Sequence, residues 1–452
     1  MTAVYYTLGV VLFFGAILAS IGLHELGHMI PAKKFGGKVT QYFIGFGPTV
    51  WSKQVGETEY GVKAVPLGGY VKIVGMLPPE AENLVDSVEI DEHGQRVQRI
   101  RKSNTGLFTQ LISDARAAEW ELVGPEDSER LFYKLPWWKK VVVMAGGPTV
   151  NLLIAFFIFW AVFGTYGQKS VEPEPGQPTV ATVSKCIIPV AEEGRACTDD
   201  DPVAPAAEAG LRPGDVITSF NGVAIRDWDQ LRALIRDNDD GRAEIGYERD
   251  GVALTGTTST TVEARPTSDT DETLRQVGFL GVSPQTHVVT ETGGPLYTLG
   301  EMGHMTVDTA KALVHLPAKV WDVAQAIVGI EERSPDSPVS IVGGGRLAGE
   351  TVSHEEFNVQ EKTVFLLMLI AGFNFFIGMF NFVPLLPLDG GHIAGALYEG
   401  LRRGFARLLG RPDPGHVDVA RLLPVAYVVG LAMLVMGVVL IIGDIVVPLH
   451  LT

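Results

Sequence analysis

The sequence predicts a polytopic α-helical membrane protein. It has four transmembrane helices, a membrane-associated β-hairpin or sheet on the cytosolic side, and an extracytoplasmic α+β domain. Three observations lead there. Four stretches are apolar, uncharged and long enough to cross a bilayer, which takes about 20 residues. Mean hydropathy is +0.20 despite a net charge of -16 over 452 residues, which excludes disorder. The acidity is also localised: residues 166–361 hold 32 acidic and 15 basic side chains, and the rest of the chain holds 20 and 21. With the acidic excess in one block, a nucleic-acid partner is not expected. Two cysteines exclude a disulfide scaffold and a cysteine-ligated metal cluster.

The spans run from Val4 to Leu23, Val141 to Gly167, Thr363 to Leu388 and Leu422 to Gly443. The first lacks a basic leader and a small-residue cleavage site, so it does not read as a signal peptide. Basic residues set the orientation. Lys33 and Lys34 follow span one, Lys134, Lys139 and Lys140 precede span two, and Arg402, Arg403, Arg407, Arg411 and Arg421 lie between spans three and four. The opposite ends carry only Lys169 and Lys362. Both termini are therefore expected outside a plasma membrane, with residues 31–140 and 389–421 in the cytosol. The acidic block is then extracytoplasmic. It holds both cysteines, Cys186 and Cys197, for which an oxidising compartment permits a disulfide.

The chain divides accordingly. Residues 1–37 carry the first span, 38–77 a membrane-associated β region, 78–138 a cytosolic insert and 139–168 the second span. Residues 169–290 form the outer domain and 291–361 an outer helical region. Residues 362–392 carry the third span, 393–421 a cytosolic loop and 422–447 the fourth span. Within 38–77, residues 58–65 alternate with period two, and Gly68-Gly69 is read as a turn before a strand at 70–74. Such a strand has a free edge to which another extended segment can pair.

Span one ends in His24-Glu25-Leu26-Gly27-His28. On a helix, residues i and i+4 share a face about 6 Å apart, the separation two ligands of one zinc ion need. Glu25, about 100° around from His24, can reach a water at such a metal as general base. With ten histidines in the chain, a chance match to this pattern is expected on the order of 0.01 times. A catalytic zinc takes three protein ligands, so a third is expected at the same depth on another span. Span three ends in Asn381-Phe382-Val383-Pro384-Leu385-Leu386-Pro387-Leu388-Asp389-Gly390-Gly391-His392. Asp389 is its sole carboxylate, and the two prolines let it turn inward. His392 is a rival ligand, or a partner that supports Asp389.

These motifs together resemble the site-2 protease family of intramembrane zinc metalloproteases, in the four-span form that regulates sigma factors. Gly147-Pro148-Thr149-Val150-Asn151 is similar to that family's G-P-x-x-N, and Gly68-Gly69-Tyr70-Val71 to its β-loop. The spacing of Pro384 and Pro387 departs slightly from the usual pattern but leaves Asp389 beside Gly390. The resemblance implies one zinc per chain on His24, His28 and Asp389, with Glu25 as the catalytic acid and base. Asn151, Asn381, Gly68, Gly69 and Tyr70 would hold substrate. The implied partners are the bilayer and single-span proteins trimmed outside by an earlier cut, such as anti-sigma factors or leftover signal peptides.

In the outer block, Pro205-Ala206-Ala207-Glu208-Ala209-Gly210-Leu211-Arg212-Pro213-Gly214-Asp215-Val216-Ile217 resembles a single, circularly permuted PDZ domain. Gly278, Phe279, Leu280 and Gly281 would then form a carboxylate-binding loop for extracytoplasmic peptide tails. A size filter against bulky ectodomains is an equal alternative. Two other functions compete. A metal transporter needs ionisable residues through several spans, which the sequence lacks. A receptor with a PDZ sensor and a structural zinc would need a fourth ligand, such as His392.

Overall fold

The computed structural model describes residues 2–78, 85–90, 96–100, 107–120, 127–189, 195–198, 200–268 and 271–449. Parts of the cytosolic insert expected over 78–138 lie outside them. The chain forms two compact units, Met1–Tyr166 with Gly293–Thr452, and Gly167–Thr292.

The first unit opens with α1 (Thr2–Lys34). This helix runs eleven residues beyond the predicted end of span one, because Met29 and Ala32 continue a buried face. Pro31 sits inside it and has no N–H for the Gly27 carbonyl. That carbonyl instead meets the backbone of a second helix, described below.

Next come β1 (Val39–Val55) and β2 (Thr58–Ile73), joined at Gly56-Glu57. The expected turn at Gly68-Gly69 is absent, and β2 continues through it. Gly68 adopts a φ of 129°, open to glycine, and a Cβ there would strike the Phe46 ring. The kink lets the strand change neighbours: residues 41–44 pair with 59–62 and also with 69–72. Residues 69–73 thus form an outer edge of this curled sheet among the described residues. β3 (Val85–Ile90) and β4 (Arg96–Ile100) pair antiparallel, and α2 (Leu107–Trp120) follows.

α3 (Trp137–Thr165) is the second apolar helix. It crosses α1 at glycines. A Cβ on Gly146 would overlap the Gly27 carbonyl oxygen, and one on Gly27 would come within 2.5 Å of the Gly146 oxygen. Helices in lipid gain little from apolar burial against each other, so backbone approach at small residues brings them together.

The outer unit contains β5 (Gln168–Pro173), β6 (Val180–Val183), α4 (Pro205–Glu208), β7 (Val216–Phe220), β8 (Val223–Ala224) and α5 (Trp228–Asp237). It continues with β9 (Arg242–Arg249), β10 (Val252–Ser259), β11 (Thr261–Ser268), β12 (Asp271–Phe279), β13 (Val282–Pro284) and β14 (Thr286–Glu291). One sheet has the order β10-β9-β7-β8, and β11 pairs with β12, β13 with β6 and β14 with β5. Asn221 and Gly222, both at positive φ, turn β7 into β8. Ile217, Phe220, Leu231, Ile245 and Leu280 form the core. Asp227 caps α5 by accepting from the Gln230 N–H. Asp215 is buried, and burial raises its carboxyl pKa. The Arg249 guanidinium 2.7 Å away and the Arg212 N–H outweigh this and hold it below the usual range. Cys186 and Cys197 are joined by a disulfide, with Cα atoms 6.0 Å apart.

The first unit resumes with α6 (Pro295–Ile327), α7 (Ile341–Ser353), α8 (Val359–Asn381), α9 (Asp389–Leu408) and α10 (Leu423–Val446). The glycine run of α7 lets it lie against other helices, since Cβ atoms on Gly344 and Gly345 would meet Phe13, Phe14 and Phe373. Arg333 and Asp444, both buried, pair at 2.7 Å, and Asp444 also accepts from the Ser340 N–H at the start of α7. The third span is shorter than predicted, ending at Asn381 rather than Leu388. The region 393–421, expected as a loop, is largely α9. Its residues Ala396 and Glu399 are buried, whereas Leu397, Leu401 and Phe405 are exposed. Among the described residues, helices α1, α3, α8 and α10 are the four long and apolar enough to cross a membrane.

The glycine crossing predicts an asymmetry within α1. Gly27→Val should cost about 1–3 kcal/mol by overpacking. Gly15→Val, where a Cβ meets nothing within 4 Å, should leave the melting temperature in detergent unchanged.

Candidate metal centre

α1 presents His24 and His28 one turn apart. The remaining partners come from α3 and from the start of α9. The Nδ1–H of His28 donates to the Val143 carbonyl oxygen at 2.8 Å. A carbonyl can only accept, so this bond fixes the proton on Nδ1 and leaves Nε2 as a donor to metal. His24 Nδ1 lies 3.3 Å from Asn151 Oδ1, an arrangement with the same consequence. The two Nε2 atoms then face each other at 3.2 Å. Asp389 Oδ2 completes the triangle, 3.4 Å from His24 Nε2 and 3.3 Å from His28 Nε2.

The dimensions fit zinc. A tetrahedral ion with bonds of about 2.0–2.1 Å spaces its ligands roughly 3.3 Å apart. Three lone-pair donors that converge this closely repel each other unless a cation lies among them. Among the described residues these are the three metal-donor side chains that converge.

Asp389 reaches the triangle because the chain breaks between α8 and α9. It then starts α9, where Gly390 and Gly391 press against the backbone of Phe382, Val383 and Leu385; a Cβ at either glycine would collide there. The other end of α9 is tied to α3. Lys140 Nζ and Glu399 Oε2 are 2.7 Å apart, both buried. Burial pushes the Glu399 carboxyl up. His416, Lys140 and the Val417 N–H outweigh this and hold it down at about 2.

A cavity of about 400 Å³ opens beside the triangle, lined by Glu25, Gly69, Tyr70, Asn151, Asn381 and His392 among others. β2 lies directly over Glu25: a Cβ on Gly69 would sit 3.0 Å from Glu25 Cγ and from Ile21 Cγ2. Tyr70 stacks on Phe43, with ring centroids 5.6 Å apart.

The model of peptidase family M50 matches residues 12–408. The chain belongs to peptidase family M50. The zinc metalloprotease Rip1 of Mycobacterium tuberculosis is 34% identical over 465 residues, covering 99% of both chains. The regulator of sigma-W protease RasP of Bacillus subtilis is 24% identical over 429 residues, covering 87% of this chain and 89% of its own. A solved PDZ domain, that of the SdrC-like protein of Listeria monocytogenes, is similar over 25% of this chain and 92% of its own. It has 16% identity and a TM-score of 0.15. This M50 protein is a multi-pass, zinc-dependent intramembrane metalloprotease of the site-2 protease kind.

The sequence-predicted site residues largely meet in one place. Glu25, Gly68, Gly69, Tyr70, Asn151 and Asn381 line the cavity with His24, His28 and Asp389. His392 lines it too but stands outside the donor triangle. Gly278, Phe279, Leu280 and Gly281 belong to the outer unit and line a separate groove. Asn151, expected at the substrate, is only 1% exposed and turns its oxygen toward His24.

Two contributors escaped the sequence reading. Val143 acts through its carbonyl, which no side-chain pattern reveals. At Gly147 a Cβ would collide with His28 Nε2 and approach His24 Nε2 within 2.7 Å. Its only signal was membership of the G-P-x-x-N motif.

If Asn151 orients His24, Asn151→Ala should weaken zinc affinity by about 10–100-fold. Competition with a chromogenic chelator measures this. A variant with wild-type zinc affinity and weakened substrate binding would return Asn151 to the substrate.

Proposed function

We propose that His24, His28 and Asp389 hold one zinc ion per chain, and that Glu25 is the acid and base of peptide-bond hydrolysis. The triangle of donor atoms 3.2–3.4 Å on a side carries this reading. Zinc at such a site supplies Lewis acidity, polarising a carbonyl and making water acidic enough to be activated near neutral pH. Glu25 takes the proton of the attacking water and returns it to the leaving amide nitrogen. Asn381, across the cavity, steadies the substrate carbonyl. With three protein donors and a cavity beside them, the arrangement favours an open catalytic site over a closed structural one.

The substrates we propose are single-span membrane proteins trimmed outside beforehand, in the manner of anti-sigma factors or remnant signal peptides. A membrane helix hides its peptide bonds in its own hydrogen bonds, so cleavage requires local unwinding. Residues 69–73 offer an outer strand edge along the cavity wall, to which an unwound segment can add.

We place the protein in the plasma membrane with both termini and the acidic outer unit outside and the zinc near the cytosolic face. The distribution of basic residues around the spans supports this orientation, as does a disulfide within the outer unit. We read that unit as a permuted PDZ domain that receives substrate tails or excludes large ectodomains.

Co-expression with single-span candidates tests the catalytic assignment. Wild type should yield a shortened product, and Glu25→Gln should yield none while the purified variant retains zinc. Undiminished cleavage by Glu25→Gln would remove Glu25 from the chemistry.

A further inference from the structure

α9 has two opposed faces. Ala396 and Glu399 are buried, whereas Leu397, Leu401, Phe405 and Leu408 are exposed. These four follow at intervals of four, four and three residues, so they form one apolar stripe. Tyr398, also exposed, widens it. Arg402 lies about 100° around from Leu401 to one side and Arg407 about 120° to the other, so basic side chains flank the stripe. Such a pattern suits a helix lying in a membrane interface.

The fold places α9 there. It follows one helix of membrane-spanning length, α8, and precedes another, α10. Its polar side presses on the start of a third, since a Cβ on Gly400 would come within 2.6 Å of the Trp137 ring of α3. Trp137 and Trp138 are themselves exposed, as aromatic residues at headgroup level are.

Beside the stripe a cleft of about 770 Å³ opens between α9 and the start of α10. Leu385, Tyr398, Leu422 and Val425, all exposed, give it an apolar wall. Arg402 and Arg421 supply cations. Arg402 Nη2 donates to the carbonyls of Pro414 and Gly415 at 2.9 and 2.8 Å. Carbonyls are neutral, so these bonds orient the guanidinium and leave its charge. Among the described residues Arg402 has no carboxylate partner, and its Nε is buried without a hydrogen bond. The carboxylate in the lining, Asp418, is engaged by Arg116 of α2 at 2.5 Å and lies 3.4 Å from Arg421.

We propose that this cleft seats an anionic phospholipid, with its acyl chains on the apolar wall and its phosphate at Arg402 and Arg421. The neighbouring stripe of α9 then lies in the same leaflet. An apolar wall joined to a cationic rim matches an amphiphile, because a soluble anion would use the arginines and leave the wall bare. The inference concerns lipid rather than substrate and stands apart from the catalytic assignment.

Native mass spectrometry of the full chain in detergent tests it, with phosphatidylglycerol and phosphatidylcholine of identical acyl chains as probes. Phosphatidylglycerol should bind about 10-fold more tightly than phosphatidylcholine. Arg402→Gln and Arg421→Gln should each shrink that ratio, and Arg402→Lys should keep most of it. Arg402 also holds the 414–415 carbonyls, so the exposed Arg421 supplies the variant without that structural role. Inorganic phosphate should leave the lipid in place. Equal affinity for the two lipids, an undiminished ratio in both glutamine variants, or displacement by phosphate alone would overturn the proposal.

Discussion

The metal centre depends on the backbone contact between Gly27 of α1 and Gly146 of α3. In a bilayer, two apolar helices have little reason to prefer each other over lipid, and close backbone approach supplies one. Pro31 strengthens it indirectly, because it frees the Gly27 carbonyl from the ladder of α1 to face α3. Once the helices touch, three further features fall into place on α3. Gly147 leaves room between the two imidazoles, Val143 offers its carbonyl to His28, and Asn151 reaches His24. The bare space at Gly147 matters as much as the donors themselves, since a Cβ there would collide with His28 Nε2 and crowd His24 Nε2.

The third corner obeys a different constraint. A carboxylate within a membrane protein is costly unless it is paired or binds a cation, and Asp389 meets two histidines where the chain breaks between α8 and α9. Two ties hold that break in position. Gly390 and Gly391 fit against the preceding loop, and the buried Lys140–Glu399 pair fixes α9 to the same helix that carries Val143 and Asn151. α3 therefore positions all three converging donor side chains: two through direct contacts and one through the far end of α9.

What was legible in the sequence followed from periodicity and cost. His24 and His28 stood out because a helix puts i and i+4 on one face. Asp389 stood out because prolines interrupt an apolar span beside a lone carboxylate. Contacts that arise only in three dimensions were hidden. Nothing local to Gly27 in H-E-L-G-H connects it to Gly146. The pair Gly68-Gly69 looked like a turn because two glycines usually make one. In fact the bend redirects a single strand around the Phe46 ring and brings its edge to Glu25. The segment 393–421 joins two apolar stretches, and no apolar run in it signals the helix α9 that makes up much of it.

The most direct measurement of the central claim is anomalous diffraction at the zinc absorption edge from crystals of the purified protein. One peak per chain should appear within bonding distance of His24 Nε2, His28 Nε2 and an Asp389 carboxylate oxygen. A peak bonded to His392 in place of Asp389, or a site closed by a fourth protein ligand, would contradict it.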